Sequence, residues 1–108
     1  LAVLTVQEVS LTGLSLAFAA AAAGGDEFAN TGREYLHVKN ASAGDVTVTF
    51  DSVAPCNQGY DHNVAVVVPA GGERIIGKFE PGRFNNSNNR VAVSYSGVTS
   101  VTVAAVKM

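Results

Sequence analysis

Cys56, Asp61 and His62 fall within one short stretch of this 108-residue chain. A thiol, a carboxylate and an imidazole so close together are the raw material of a metal site or of a Cys–His nucleophile pair. His37, the other imidazole, would have to approach from elsewhere in the fold. A structural zinc site takes four ligands in closely spaced pairs, and Cys-x4-Asp-His supplies no second pair. A thiol nucleophile needs an orienting group and an oxyanion hole, and the sequence carries a signature of neither. The residues read instead as a polar loop, with Asp61 and His62 capping it and facing solvent and Cys56 a small, partly buried thiol.

Other chemistries fare no better. Glycoside hydrolysis requires two carboxylates at a set separation, and the nine acidic residues are spread over turns and strand ends without singling out a pair. Gly24-Gly25 and Gly71-Gly72 lack the spacing and the strand-to-helix context of a phosphate loop. Asn40-Ala41-Ser42 and Asn85-Asn86-Ser87 match the glycosylation acceptor pattern, which matters only in a protein secreted by a eukaryote. Tyr35, Tyr60 and Phe84, with the Asn-rich run 85–89, have the composition of a sugar-stacking platform. Arg83-Phe84 also has that of a protein contact, where aromatic and Arg anchors dominate, but packing within the domain is the first reading of these aromatic residues. No catalytic residue, metal ligand or cofactor is expected.

The elements that carry these residues fit one domain. The chain is 47% hydrophobic and only 15% charged, well below the usual quarter, which suggests that part of its surface is covered by something else. A net charge of −2, with its basic residues scattered, gives no stripe for phosphate neutralisation. Nucleic acid is therefore not an expected partner. One cysteine excludes an internal disulfide and argues weakly for a reducing site of synthesis.

Residues 1–23 contain no Lys or Arg. Leu14, Leu16 and Phe18, followed by five alanines, have the look of a secretory h-region, but no basic n-region precedes them. Thr12, Gly13 and Ser15 also interrupt the segment too early for it to span a bilayer. The expectation is a strand at about residues 2–11, then an Ala-rich connection to Gly24-Gly25, either a helical turn capped at the glycines or an extended arm. Residues 1–24 are read as part of the same domain as the sandwich core, 25–108.

Farther on, alternation dominates. Leu36 and Val38 share one face and Tyr35, His37 and Lys39 the other; Val46, Val48 and Phe50 face in and Thr47, Thr49 and Asp51 out. These two runs are expected to pair across the turn 40–45. Residues 63–68 are nearly continuously apolar, which predicts a strand covered on both faces. After Pro69-Ala70-Gly71-Gly72 the chain returns, with Ile75 and Phe79 on one face. Residues 91–95 and 101–103 alternate again around Ser96-Gly97, which predicts a terminal β-hairpin. No helical period is found after residue 24. The fold class is all-β: an antiparallel β-sandwich of about seven to eight strands, of jelly-roll or immunoglobulin-like Greek-key type.

Three runs, residues 25–40, residues 68–72 with 79–85, and residues 93–103, together resemble small all-β head auxiliary proteins of tailed bacteriophages, the decoration or cement proteins. The resemblance implies a sandwich bound to the capsid exterior that reinforces contacts between major capsid subunits, made in the host bacterial cytoplasm and acting as a homo-oligomer, a trimer by preference. It implies no nucleic acid and no membrane partner. The expected contact residues are Leu1, Val3, Leu4, Leu14, Leu16 and Phe18 of the uncharged N-terminal segment and Tyr60, Arg83, Phe84 and Asn85 of the polar loops. A carbohydrate-binding or host-surface adhesin module is the alternative.

Overall fold

The computed structural model describes residues 1–53 and 63–108. Ten strands run in chain order: β1 Ala2–Leu4, β2 Val6–Glu8, β3 Ala19–Ala20, β4 Asp26–Ala29, β5 Glu34–Asn40, β6 Val46–Phe50, β7 Val64–Val68, β8 Glu73–Gly77, β9 Arg90–Tyr95 and β10 Val101–Lys107, with one helical turn, α1, at Pro81–Phe84. The first sheet has the order β1-β4-β9-β6-β7. The second has the order β2-β10-β5-β8, with β3 also on β10. Both sheets are mixed rather than purely antiparallel, because β1 lies parallel to β4 and β2 parallel to β10. The count of ten described strands exceeds the seven or eight expected because the N-terminal segment contributes three short ones.

The inward faces follow the alternation. Leu36, Val38, Val46, Val48, Phe50, Val91, Val93, Val101 and Val103 are all buried and form one core between the sheets. At one end of that core Phe79 touches three other rings. Its centroid lies 5.7 Å from Phe28, 4.6 Å from Phe50 and 5.4 Å from Phe84, within the range in which aromatic pairs add to simple burial.

Strand pairing departs from the sequence reading. β9 and β10 form no hairpin: β9 pairs with β4 and β6, while β10 lies in the other sheet against β5. Likewise β5 and β6 occupy different sheets, as do β7 and β8. Each of these connections is an arch over the edge of the core, with Val98 tucked against the core beneath the arch from β9 to β10. Alternation is the same for an arch and a hairpin, so periodicity does not distinguish them. The arches are held by two buried asparagines, since polar backbone removed from water must find a partner. Asn40 donates from Nδ2 to Gly44 O at 2.9 Å and Val68 O at 3.0 Å, and its Oδ1 accepts from Ser42 N at 3.0 Å. Asn30 donates to Phe79 O at 2.9 Å and to Asn85 Oδ1 at 2.7 Å, and accepts from Gly32 N at 3.0 Å.

Three further expectations are corrected. β7 is an edge strand, with Val67 exposed, and is not covered on both faces. On β8 it is Ile76 that packs on the core, whereas Ile75 is 64% exposed. The strand stops at Gly77, so the alternation that put Ile75 with Phe79 does not continue across the gap. The Pro81 turn is helical rather than loop, with Phe84 N and Asn85 N bonded back to Glu80 O and Pro81 O.

Glu34 opens β5 fully buried. Burial alone would raise its carboxyl, but Oε1 accepts from Thr31 N at 2.7 Å, Thr31 Oγ1 at 3.0 Å and Arg33 N at 3.1 Å. Hydrogen bonds to the charged form win, and the group sits below its ordinary value of 4.5.

Two outcomes are expected. Phe79→Ala lowers stability by about 3–5 kcal/mol in urea unfolding, as for other buried phenylalanines. Glu34→Gln costs about 1–2 kcal/mol at pH 7. Because the folded-state pKa is depressed, the Glu34 contribution is complete above 4.5 and is lost as pH falls through the lower folded value. The stabilities of wild type and Glu34→Gln therefore converge as pH falls below that depressed value, and a constant difference would refute the assignment.

Candidate interaction surface

The surface with the least internal explanation is the N-terminal arm. A single extended segment crosses from one sheet to the other at Thr5: β1 pairs Ala2 with Asp26, Val3 with Glu27 and Leu4 with Phe28, while β2 pairs Val6 with Ala105, Gln7 with Val106 and Glu8 with Lys107. The expected strand over 2–11 is therefore split, since one strand cannot follow two sheets that diverge at their edges. Leu4 and Val6 point inward and pack against the core. Their neighbours point out: Leu1 is 67% and Val3 is 56% exposed.

Beyond Val9 the chain leaves the sheet in a loop. Its tip is a turn in which Gly13 N donates to Ser10 O at 3.1 Å and Ser10 Oγ donates to Gly13 O at 3.1 Å, with Gly13 at φ +96°. Leu11 stands at this tip in full contact with solvent, flanked by exposed Val9 and Leu14. The Gln7 amide closes the loop by imitating a strand. Its Nε2 donates to Ala17 O at 2.8 Å and its Oε1 accepts from Ala17 N at 2.9 Å. Half-buried Phe18 then folds onto the outer face of the second sheet, edge-on to His37 at 5.0 Å and beneath Lys39 Nζ at 4.1 Å. His37 Nε2 is bonded to Glu73 Oε1 at 2.9 Å. Between arm and β10 remains a crevice of about 440 Å³ lined by Val3, Leu4, Gln7, Phe18, Ala104 and neighbours.

The Ala-rich connection is extended, not helical. β3 pairs antiparallel with β10, and a turn closes with Gly25 N donating to Ala22 O at 2.9 Å. Gly25 has φ +92°, and a Cβ there would meet Val93 O at 2.7 Å and Leu1 Cδ2 at 2.8 Å. Buried Asp26 fastens this turn, accepting from Tyr95 Oη at 2.7 Å and Ala22 N at 3.3 Å. Burial, and then the Asp26 carboxylate, raise the Tyr95 phenol above its usual range, so it remains a donor.

Of the expected contact residues, Leu1, Val3 and Leu14 are exposed, Leu16 and Phe18 are half-buried, and Leu4 is turned partly inward. Phe84 is not a surface anchor: α1 aims it at Phe79, leaving it 6% exposed. Arg83 lies over its ring at 4.8 Å. Asn85 is part of the Asn30 network, donating to Asn30 O at 2.8 Å. Neither a sugar platform nor a protein contact centred on Phe84 is therefore formed. Tyr60, Cys56, Asp61 and His62 lie outside the described residues. Sequence reasoning missed Leu11 and Val9, although an apolar residue beside the turn-forming Thr12-Gly13 was a usable signal. Among the described residues no group of three or more His, Cys, Asp or Glu side chains is arranged to hold a metal ion. No helix among them is long and apolar enough to cross a membrane.

Comparison with family models, with curated proteins and with solved structures finds no match to this chain.

The two kinds of apolar residue separate by mutation. Leu11→Ser leaves the urea midpoint unchanged, whereas Phe84→Ala lowers stability by about 3 kcal/mol. Equal effects of the two substitutions on the midpoint would overturn the placement.

Proposed function

We propose that this chain is a structural protein of a bacteriophage head that docks on the capsid exterior and ties major capsid subunits together. We further infer that its sandwich is a jelly roll. The strand orders support the second reading. With β3 taken as the first strand, chain order steps between the sheets to give β3-β10-β5-β8 against β4-β9-β6-β7, the arrangement of two interlocked Greek keys. Jelly rolls serve viral capsid proteins, lectins and cupins alike, so the fold narrows the class without choosing within it.

The observation that carries the functional reading is the N-terminal arm. It exposes Leu1, Val3, Val9, Leu11 and Leu14, and Glu8 is the only charged side chain in residues 1–25. Glu8 is itself engaged loosely by Arg33 at 3.8 Å. An exposed apolar surface of this kind marks a protein contact. Beside Leu1 a notch of about 160 Å³, lined by Thr49, Asp51, Ala92 and Ser94 among others, offers a seat for a partner side chain. Leu1 and Val3 form the docking face, and the capsid is the partner implied by the resemblance of residues 25–108 to head auxiliary proteins. Docking as a homo-oligomer, a trimer at a symmetry axis, multiplies weak contacts through avidity.

Purified protein mixed with undecorated heads is expected to bind them and to raise their melting temperature, with Val3→Asp weakening binding at least tenfold, about 1.4 kcal/mol. Absence of binding at about 10 μM protein, a range in which specific contacts are normally occupied, would overturn the proposal.

A further inference from the structure

The arm that closes the sandwich is joined to it by few and exchangeable contacts. β1 and β2 each cover three residues of a sheet edge, on β4 and β10 respectively, and both run parallel to their partners. Leu4 and Val6 are the side chains that seal the core on this side. Every one of these interactions would be reproduced, in the same register, by the same segment of a second molecule. The free-energy difference between a closed and an exchanged form is therefore confined to the connecting loop and to whatever the opened loop newly touches.

That loop loses little on opening. Its turn rests on the Ser10–Gly13 bonds and on a contact between Ser10 Oγ and Thr12 Oγ1 at 3.3 Å, all solvent-exposed. The Gln7–Ala17 pairing is retained between chains, because Gln7 travels with the arm and Ala17 stays with the acceptor. Straightened, residues 9–18 span up to roughly 30 Å at about 3.3 Å per residue. The thin dimension of the sandwich is 19 Å, so the arm reaches a molecule packed alongside. Exchange also has a driving force in the loop residues that the closed form leaves in water. Leu11, Val9 and Leu14 are exposed when the loop folds back on its own chain. Two opened loops crossing between molecules bring these side chains against one another, where burial stabilises by about 25 cal/mol per Å².

We propose that residues 1–9 are an exchangeable strand: at high local concentration the arm of one molecule leaves its own sheet edges and pairs with β4 and β10 of a second copy of this chain. The outward-facing Leu1 and Val3 remain free in either form. Exchange therefore goes beyond the docking reading and does not depend on it. Closed and exchanged forms balance near the effective concentration of a short tether, in the millimolar range, and the loop contacts move the balance toward exchange.

The register supplies a test that needs only the purified chain. Glu8 and Lys107 are paired residues of β2 and β10. In a Cys56→Ser background, one variant carries Glu8→Cys and another Lys107→Cys. The two are mixed at rising concentration and oxidised with glutathione disulfide. The expected result is a disulfide-linked heterodimer whose yield rises between about 10 μM and 1 mM, at least fivefold above a control mixture of Glu8→Cys with Val67→Cys, whose thiol lies on the opposite sheet edge. The double variant Glu8→Cys/Lys107→Cys, closing its disulfide within one chain at low concentration, verifies that the pair is geometrically competent. If the double variant closes and the mixture yields no more heterodimer than the Val67 control, the arm does not exchange and the proposal is overturned. Failure to bind heads would leave this result untouched.

Discussion

The constraint on which the rest of this structure depends is that the chain changes sheets at most of its turns. Each arch carries backbone carbonyls over the rim of an apolar core, where neither sheet's ladder reaches them. The buried amides of Asn30 and Asn40 resolve this at the two ends of β5. Asn40 joins the arch after β5 to the end of β7, and Asn30 joins the arch before β5 to the segment carrying Phe79. One strand is thereby fixed against elements that lie far from it in sequence. The Phe79 ring, whose own carbonyl is held by Asn30, then fills the end of the core against Phe28, Phe50 and Phe84. Polar arch and aromatic cluster are thus two sides of one junction.

What could be read from the sequence, and what could not, follows from the same geometry. Period-two alternation reports which side chains face the core, and it places Leu36, Val38, Val46, Val48, Phe50, Val93, Val101 and Val103 where the structure has them. It carries no information about which strand lies alongside. The turn residues after Asn40 and around Gly97 suit an arch as well as a reversal within one sheet, so the neighbours assigned to β5 and β9 were wrong. Val64–Val68 misled for a related reason: a run of β-branched residues satisfies strand propensity whether or not both faces are covered. Phe84, beside Arg83 in a polar loop, was open to packing within the domain as well as to a surface contact, and it stood among the expected contact residues. One turn of helix started by Pro81 was enough to reverse its direction.

The candidate surface was only partly legible. Its lack of charge was plain in the sequence, and Leu1, Val3 and Leu14 are exposed as a contact surface requires. The sheet switch at Thr5 was not legible, because it depends on where the edges of two sheets end. That switch explains the division of labour along the arm. Side chains on one side of Thr5 and on the other, Leu4 and Val6, close the core, and the residues alternating with them are left facing outward. A segment that both completes the fold and presents apolar surface couples stability to association. The Asn-rich loop contributes to the fold through Asn85 and Asn86, the latter donating to Glu27 at 3.3 Å.

β10 has one further consequence, and it concerns the order of events during synthesis. This strand lies between β5 on one side and β2 and β3 on the other, yet it follows every one of them in the chain. Its pairing of Val101 with Asn40 and of Ala105 with Val6 joins residues made early to residues made late. Until residues 101–107 have emerged from the ribosome, the second sheet lacks its connecting strand, and β2 and β3 have nothing to pair with. The N-terminal strands β2 and β3 therefore stay without a partner until synthesis has passed residue 107. A topology so dominated by distant pairings folds slowly, on the millisecond-to-second scale typical of β-sandwiches. Throughout that interval the unpaired strands are open to association with other chains.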